Sequence, residues 1–326
     1  MISLVFSLLV FPGLLFLTAL AFFTSYLVRK LSARMQRRMG PSYVGPAGLL
    51  QPVYDFFKLL RYKEIVKTRY SMVLAAEVSL LIGMAFLVSS VILLPLSPYN
   101  ARGIYDFLVF FYMVSVMPVF MLIIASLSMP GPYTSTGVSR MLTILTISEP
   151  AFFASLLTPL YLATSNSTVF MSIGEASSRV ATLWTNPLTA FIIALDLIAS
   201  IVSVQAKAML APFNIPEAEQ ELIAGFETEF SGPLLALASL LHEVELAVSG
   251  LAIVYIFLGG PAPFPHLSIQ GILVLILKYV AVVLIATFIR NIFGRFRIEQ
   301  ALISLLKYGL APALISVILA SIYLAT

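Results

Sequence analysis

Eight apolar runs, each of more than twenty residues, decide what this chain can fold into. They fall at about 3–28, 73–94, 104–128, 141–164, 187–210, 233–258, 268–289 and 301–324. A helix crosses the hydrocarbon core of a bilayer with about 20 apolar residues. Only a helix or a closed barrel satisfies its own backbone there. Charged residues make up 10% of the chain, against roughly 25% in soluble domains, so a water-exposed surface cannot be built from it. The expected fold is an all-α polytopic membrane protein, with about eight transmembrane helices plus interfacial amphipathic helices. It forms a single membrane domain over residues 1–326.

Positive charge sets the expected topology. The link between the first two runs carries Arg29, Lys30, Arg34, Arg37, Arg38, Lys58, Arg61, Lys63, Lys67 and Arg69, and links on the same side add Arg140, Lys207, Arg290, Arg295 and Arg297. The opposite side has Arg102 and Arg179. By the positive-inside rule, the segments 29–72, 129–140, 208–232 and 290–300 are cytoplasmic loops, with both termini outside, in a multi-pass protein of the cell membrane. The first run reads as an uncleaved anchor, because its basic residues follow it. Residues 47–60 are apolar but too short to span, and Tyr54, Phe56 and Phe57 suit a helix lying in the interface. Segment 172–184, with Glu175, Arg179 and Trp184, reads as a second one on the other side. No internal repeat of spans is visible, which weighs against an inverted-repeat transporter.

Glu77, Glu149, Asp196, Glu243, Glu245 and Lys278 fall inside the runs. A charge at mid-bilayer costs about 2.5–3.5 kcal/mol on the most lenient scale, so the set needs a reason. One reading is a polar relay of carboxylates that exchange protons. In the other, Glu77 snorkels from the end of its span, and Asp196 or Glu245 pairs with Lys278. Pro150 directly after Glu149 removes a backbone donor and predicts a helix broken beside the acid; the alternative is a proline kink beside a protonated Glu149. His242 and Glu245, three apart on one helix face, read either as a hydrogen-bonded pair or as a proton carrier beside an acid.

Five of the 15 acidic residues crowd into residues 214–231: Glu217, Glu219, Glu221, Glu227 and Glu229. Asn214 followed by Glu217 predicts a capped short helix that Gly225 ends, with Glu217 and Glu221 on one face. Such crowding needs protons, cations or arginines to offset repulsion, and Arg34, Arg37 and Arg38 lie on the expected same side. A solvated charged face is the alternative, against which the interleaved Leu222, Ile223, Phe226 and Phe230 count.

The absences exclude much. Without cysteine the chain cannot hold an iron–sulfur cluster through thiolates or form a disulfide. Its two histidines, His242 and His266, are about a helix length apart, which does not suit a haem pair. No redox centre, metal or catalytic residue of its own is expected. There is no Walker, GxGxxG, HExxH or GxSxG pattern. A basic loop on a polytopic protein points to the lipid surface or a docked partner, not to nucleic acid.

Three segments resemble a known family. QRRMGPSYVGPAGLLQPVYDFFKLLRYKE at 36–64 is similar to the QxRxGPNxxGPxGLLQPxxDxxKLxxKE signature of NADH dehydrogenase subunit 1, the H subunit of bacterial complex I. PFNIPEAEQELIAGFETEFS at 212–231 resembles its PFDLxEAExELVxGxxxEYS loop, and RNIFGRFRIEQ at 290–300 with Lys307 its RxxxPRxRxDQ segment. Arg140 and Glu149 have the spacing of its R…SYE pattern. The resemblance implies an eight-helix heel subunit between membrane arm and redox arm, whose loops border a quinone chamber and whose carboxylates begin an ion path. It implies an ion relay through Glu149, Glu217, Glu219, Glu221 and Glu229, joined by the in-span Glu77, Asp196, Glu243 and Glu245. Arg34, Arg37, Arg38, Asp55, Lys58, Glu64, Arg290, Arg295, Arg297 and Glu299 are then the docking or loop-motif residues.

Departures refine the expectation. The aspartate of PFD is Asn214, and the ExNR before it reads Lys207-Ala-Met-Leu210, without its glutamate and arginine. The family's AEY lines up with Leu241-His242-Glu243. These losses favour the quinone-free branch, membrane-bound [NiFe] hydrogenases and ferredoxin-linked archaeal complexes. The implied partners are a [NiFe]-type large subunit and an iron–sulfur small subunit, which hold the cofactors, and further membrane subunits including antiporter-like ones. A quinone-site subunit and a purely structural anchor stand as the alternatives.

Overall fold

The computed structural model describes residues 2–99, 103–165 and 169–325; Arg102, counted above on the outer side, lies outside them. Eight helices among the described residues are long and apolar enough to cross a membrane. In chain order, with three shorter helices between them, they are α1 (Ser3–Met35), interfacial α2 (Gln51–Tyr62), α3 (Val73–Leu93), α4 (Asp106–Leu127) and α5 (Pro132–Thr164). Then follow the short α6 (Ile173–Leu183), α7 (Pro187–Lys207), the single turn α8 (Glu219–Leu222), α9 (Pro233–Leu258), α10 (Ile269–Ile292) and α11 (Ile298–Ala325). No strand occurs among the described residues. The protein is an all-helical multi-span membrane protein.

Both interfacial helices form where expected. Polar residues interrupt the apolar pattern of α2 on one side, and Pro52 in its first turn fits there because a first-turn N–H has no helical partner. Trp184, just past α6, donates its indole N–H to the Phe257 carbonyl at 2.9 Å, tying that helix to the end of α9. The spans overrun their expected ends. The first helix runs to Met35, with a break between Leu9 and Leu14 at Pro12-Gly13, so Arg29, Lys30 and Arg34 sit on helical turns. The expected loop 129–140 is helical from Pro132, which puts Arg140 on α5. Hydropathy ends where charge begins, but hydrogen bonding carries a helix on past that point.

Helix α9 is the hub. Apart from His242, Glu243 and Glu245 near its start it is apolar, the pattern of a helix buried on most sides, and it packs against α1, α2, α3, α4, α5, α6, α7 and α10. Gly250 lets Tyr279 of α10 close on it; a Cβ there would lie 2.8 Å from the ring. The Tyr279 hydroxyl in turn sits 2.6 Å from Thr24 Oγ1 of α1. Leu74, Leu188, Phe191, Leu273, Leu277 and Ile303 point outward, an apolar rim suited to hydrocarbon.

Two expectations about the spans fail. Pro150 does not break its helix: α5 runs unbroken through Pro150 and Pro159, held by close packing on α7 and α11. Lys278 pairs with neither Asp196 nor Glu245. Its ammonium donates to the carbonyls of Leu258, Gly260 and Ala262 at 2.7, 2.9 and 2.9 Å, satisfying the C-terminal end of α9.

Candidate functional site: an acidic loop above a buried lysine

The charged loops meet at one end of the bundle. Val66 N–H of the first loop donates to Ser231 Oγ at 2.7 Å, and Arg295 Nε donates to Asn214 Oδ1 at 3.3 Å. Asn214 thus holds an arginine instead of capping a helix. The acidic segment is not the capped helix expected. It folds as the turn α8 and a 3-10 turn at Gly225–Glu227, with Ile223 at φ 64° ending α8. Its shape is set by close approach to α5: a Cβ on Gly137 would meet Phe226 N at 2.4 Å. Gly225, at φ +56°, has no room for a side chain beside the Pro216 carbonyl.

The arginines that offset the acids are also not those expected. Arg34, Arg37 and Arg38 are exposed, and Arg38 donates to Gln36 at 2.9 Å. Arg140 of α5 instead reaches Glu221 at 2.5 Å, while Arg290 and Arg295 face Glu217. Burial pushes the Glu217 carboxyl up to about 7, with both arginines pulling against it and Glu219 adding to it. Burial, then the Glu217 charge, pushes Glu227 up to about 8. Glu219 and Glu221 are exposed. Glu229 lies against Gly131, where a Cβ would be 2.5 Å from its Oε1, beside the N-terminal end of α5; that end favours negative charge.

Two cavities open here. One, of about 410 Å³, lies between α1, α2 and α9 and is lined by Phe22, Arg29, Asp55, Phe56, Lys58, Lys63 and Glu243. Within the loop motif, Asp55 accepts from Arg29 Nη1 at 3.0 Å and Gln51 Nε2 at 2.8 Å, which fixes α2 on α1. The other, of about 290 Å³, is lined by Met209, Asn214, Glu217, Glu227, His242, Glu243 and Arg290. Glu243 borders both. His242 does not pair with Glu245; it turns to the acidic loop, its ring centroid 5.7 Å from that of Phe226. Glu64, Arg297 and Glu299 are exposed at this end.

Beneath the loop lies a group that sequence reasoning did not place in the relay. Lys207, at the end of α7 and 1% exposed, sits 3.2 Å from Glu245 and 3.4 Å from Glu149. Its hydrogen bonds go to the Ser115 hydroxyl and the Val114 carbonyl, and the Phe152 ring lies 5.4 Å from the ammonium. Both carboxylates are thus within ion-pair distance of the one ammonium. Deeper on α7, eleven residues and about 16 Å back along the helix, buried Asp196 accepts from Ser316, whose hydroxyl is 3.3 Å from Thr158. Asp196 Oδ2 has no hydrogen-bond partner among the described residues. Glu77 is half-buried near the start of α3, and no ion pair joins it to the others among the described residues.

A family model for NADH dehydrogenase matches residues 7–321. The chain belongs to the NADH dehydrogenase family. A chain in the structure of the membrane-bound sulfane sulfur reductase (MBS), an archaeal respiratory membrane complex, shares the fold. It is 24% identical with a TM-score of 0.79, over 98% of this chain and 100% of that one. Against the family pattern, Lys207 stands where the ExNR motif has its glutamate. The substitution reads in sequence as a loss of acid. In space it brings a cation to two carboxylates on other helices, a relation that no single segment displays.

Proposed function

We propose that this chain is the membrane heel subunit of a complex I-like, redox-driven ion-translocating complex of the membrane-bound hydrogenase or ferredoxin-linked kind. It anchors a peripheral arm, with a [NiFe]-type large subunit and an iron–sulfur small subunit, at the end of the bundle where the loops meet. That end faces the cytoplasm in this reading. The chain holds no redox centre and responds to charge changes in the arm by electrostatics. The carrying observation is Lys207 between Glu149 and Glu245 under the acidic loop. One buried ammonium against two carboxylates leaves one negative charge that a mobile H⁺ or Na⁺ neutralises. When charge shifts at the loop, the balance within this trio shifts with it, and the ion is released toward Asp196.

In the whole complex reconstituted in vesicles, Glu149→Gln and Glu221→Gln should leave the peripheral arm bound while ion uptake falls. Loss of the arm without a selective pumping defect would make the chain an anchor only. Unchanged pumping in both variants would overturn the relay. A second reading draws on the cavity beside Arg29, Asp55 and Lys58, where Phe22 and Phe56 flank charged groups: a quinone headgroup fits such a lining. Displacement of a short-chain quinone by Phe56→Ala would favour it.

A further inference from the structure

We propose that Glu217, Glu227 and His242 form a binding site for a divalent transition-metal cation, with Zn²⁺ as the fitting probe. Glu217 and Glu227 come from the acidic loop and His242 from α9. One donor atom from each lies within 4.8 Å of the others. Both ring nitrogens of His242 are shut off from solvent and have no hydrogen-bond partner among the described residues. An imidazole so placed, facing two crowded carboxylates, has an unmet demand on at least one nitrogen. A dication answers the imidazole and the like-charge crowding together.

The donor set selects the class of metal. One nitrogen and two carboxylate oxygens, with space for water in the cavity of about 290 Å³, suit a divalent transition metal bound by three protein ligands with an open position. Calcium and magnesium prefer oxygen alone, so the histidine argues against them. Tetrahedral bonds of about 2.0 Å hold donors roughly 3.3 Å apart, so small side-chain rotations close the site. The surrounding charge also favours a dication. Glu219 and Glu243 add to the two ligand carboxylates, while Arg290 and Arg295 stand against them. Glu227 occupies a position that the family's loop pattern leaves open, and His242 stands where its AEY motif has the glutamate, so the family pattern itself does not prescribe this constellation. The inference goes beyond the relay and does not depend on it, since it concerns binding and not transport.

The test uses the full chain in detergent, purified without a histidine tag, stripped with a chelator and titrated with Zn²⁺ against a metallochromic indicator. The expected result is one saturable Zn²⁺ per chain, weakened by about tenfold or more in His242→Ala and in Glu227→Gln. Zinc-edge X-ray absorption of the His266→Ala variant should show one imidazole among oxygen ligands. That imidazole must then be His242, so the assignment holds even if His242→Ala does not fold. No stoichiometric binding, binding unchanged in His242→Ala, or a spectrum without imidazole would each overturn the site.

Discussion

Lys207 neutralises part of two carboxylates at once, so its removal is felt twice: Glu149 and Glu245 lose their cation and then repel each other. Breaking a buried pair by removing one partner costs about 3–5 kcal/mol. Lys207→Met should therefore lower the thermal stability of the detergent-solubilised chain by about that much. Adding Glu245→Gln should recover part of it, because the second change removes the stranded charge, and a double-mutant cycle measures the coupling. Strictly additive losses would mean that the two side chains do not sense each other. This pairing was half-legible in the sequence. Glu149 and Glu245 stood out because acids are costly inside apolar runs. Lys207 did not, because it ends a run, where a lysine ordinarily reaches for the headgroups; only the packing of α7 against α5 and α9 turns it inward.

At the scale of elements, the acidic segment shows what periodicity cannot predict. Its spacing suggested a capped helix, yet Asn214 turns to Arg295 and the backbone at Gly225 presses on Gly137. Tertiary contact overrode local propensity there, whereas the spans, long and uniformly apolar, were legible to within a few residues except where charged turns extended them. Gly137→Ala should push the loop off α5 at about 1–3 kcal/mol. Hydrogen exchange over residues 214–231 should then quicken while helix content stays constant; unchanged exchange would mean the loop is held elsewhere. The loop should also respond to pH. Glu217 and Glu227 are raised from 4.5 to about 7 and about 8, so the folded loop binds their protons more tightly than the unfolded chain does. The stability this contributes is complete below about 4.5 and is lost as pH rises through about 7 to 8. Exchange over the loop should quicken across that window, and Glu227→Gln should flatten the upper part of the rise. A loop that tightens with rising pH would contradict the burial of these acids.

For the whole molecule, α9 ties the lipid-facing helices to the polar end, contacting eight other helices while presenting His242 and Glu243 to the loop cavities and Glu245 to Lys207. One element thus touches both the charged loops and the buried trio. His242 and Glu245 lie three apart, about 60° round the helix, so their spacing reads as a pair, yet His242 faces Phe226 and Glu245 faces Lys207. The most direct measurement is the number of ions moved per electron in vesicles holding the complex with Glu245→Gln. That substitution keeps the shape of the side chain and removes only its charge. Electrons should still reach the acceptor while ion uptake per electron falls; an unchanged ratio in a fully assembled complex would mean that Glu245 has no part in ion movement.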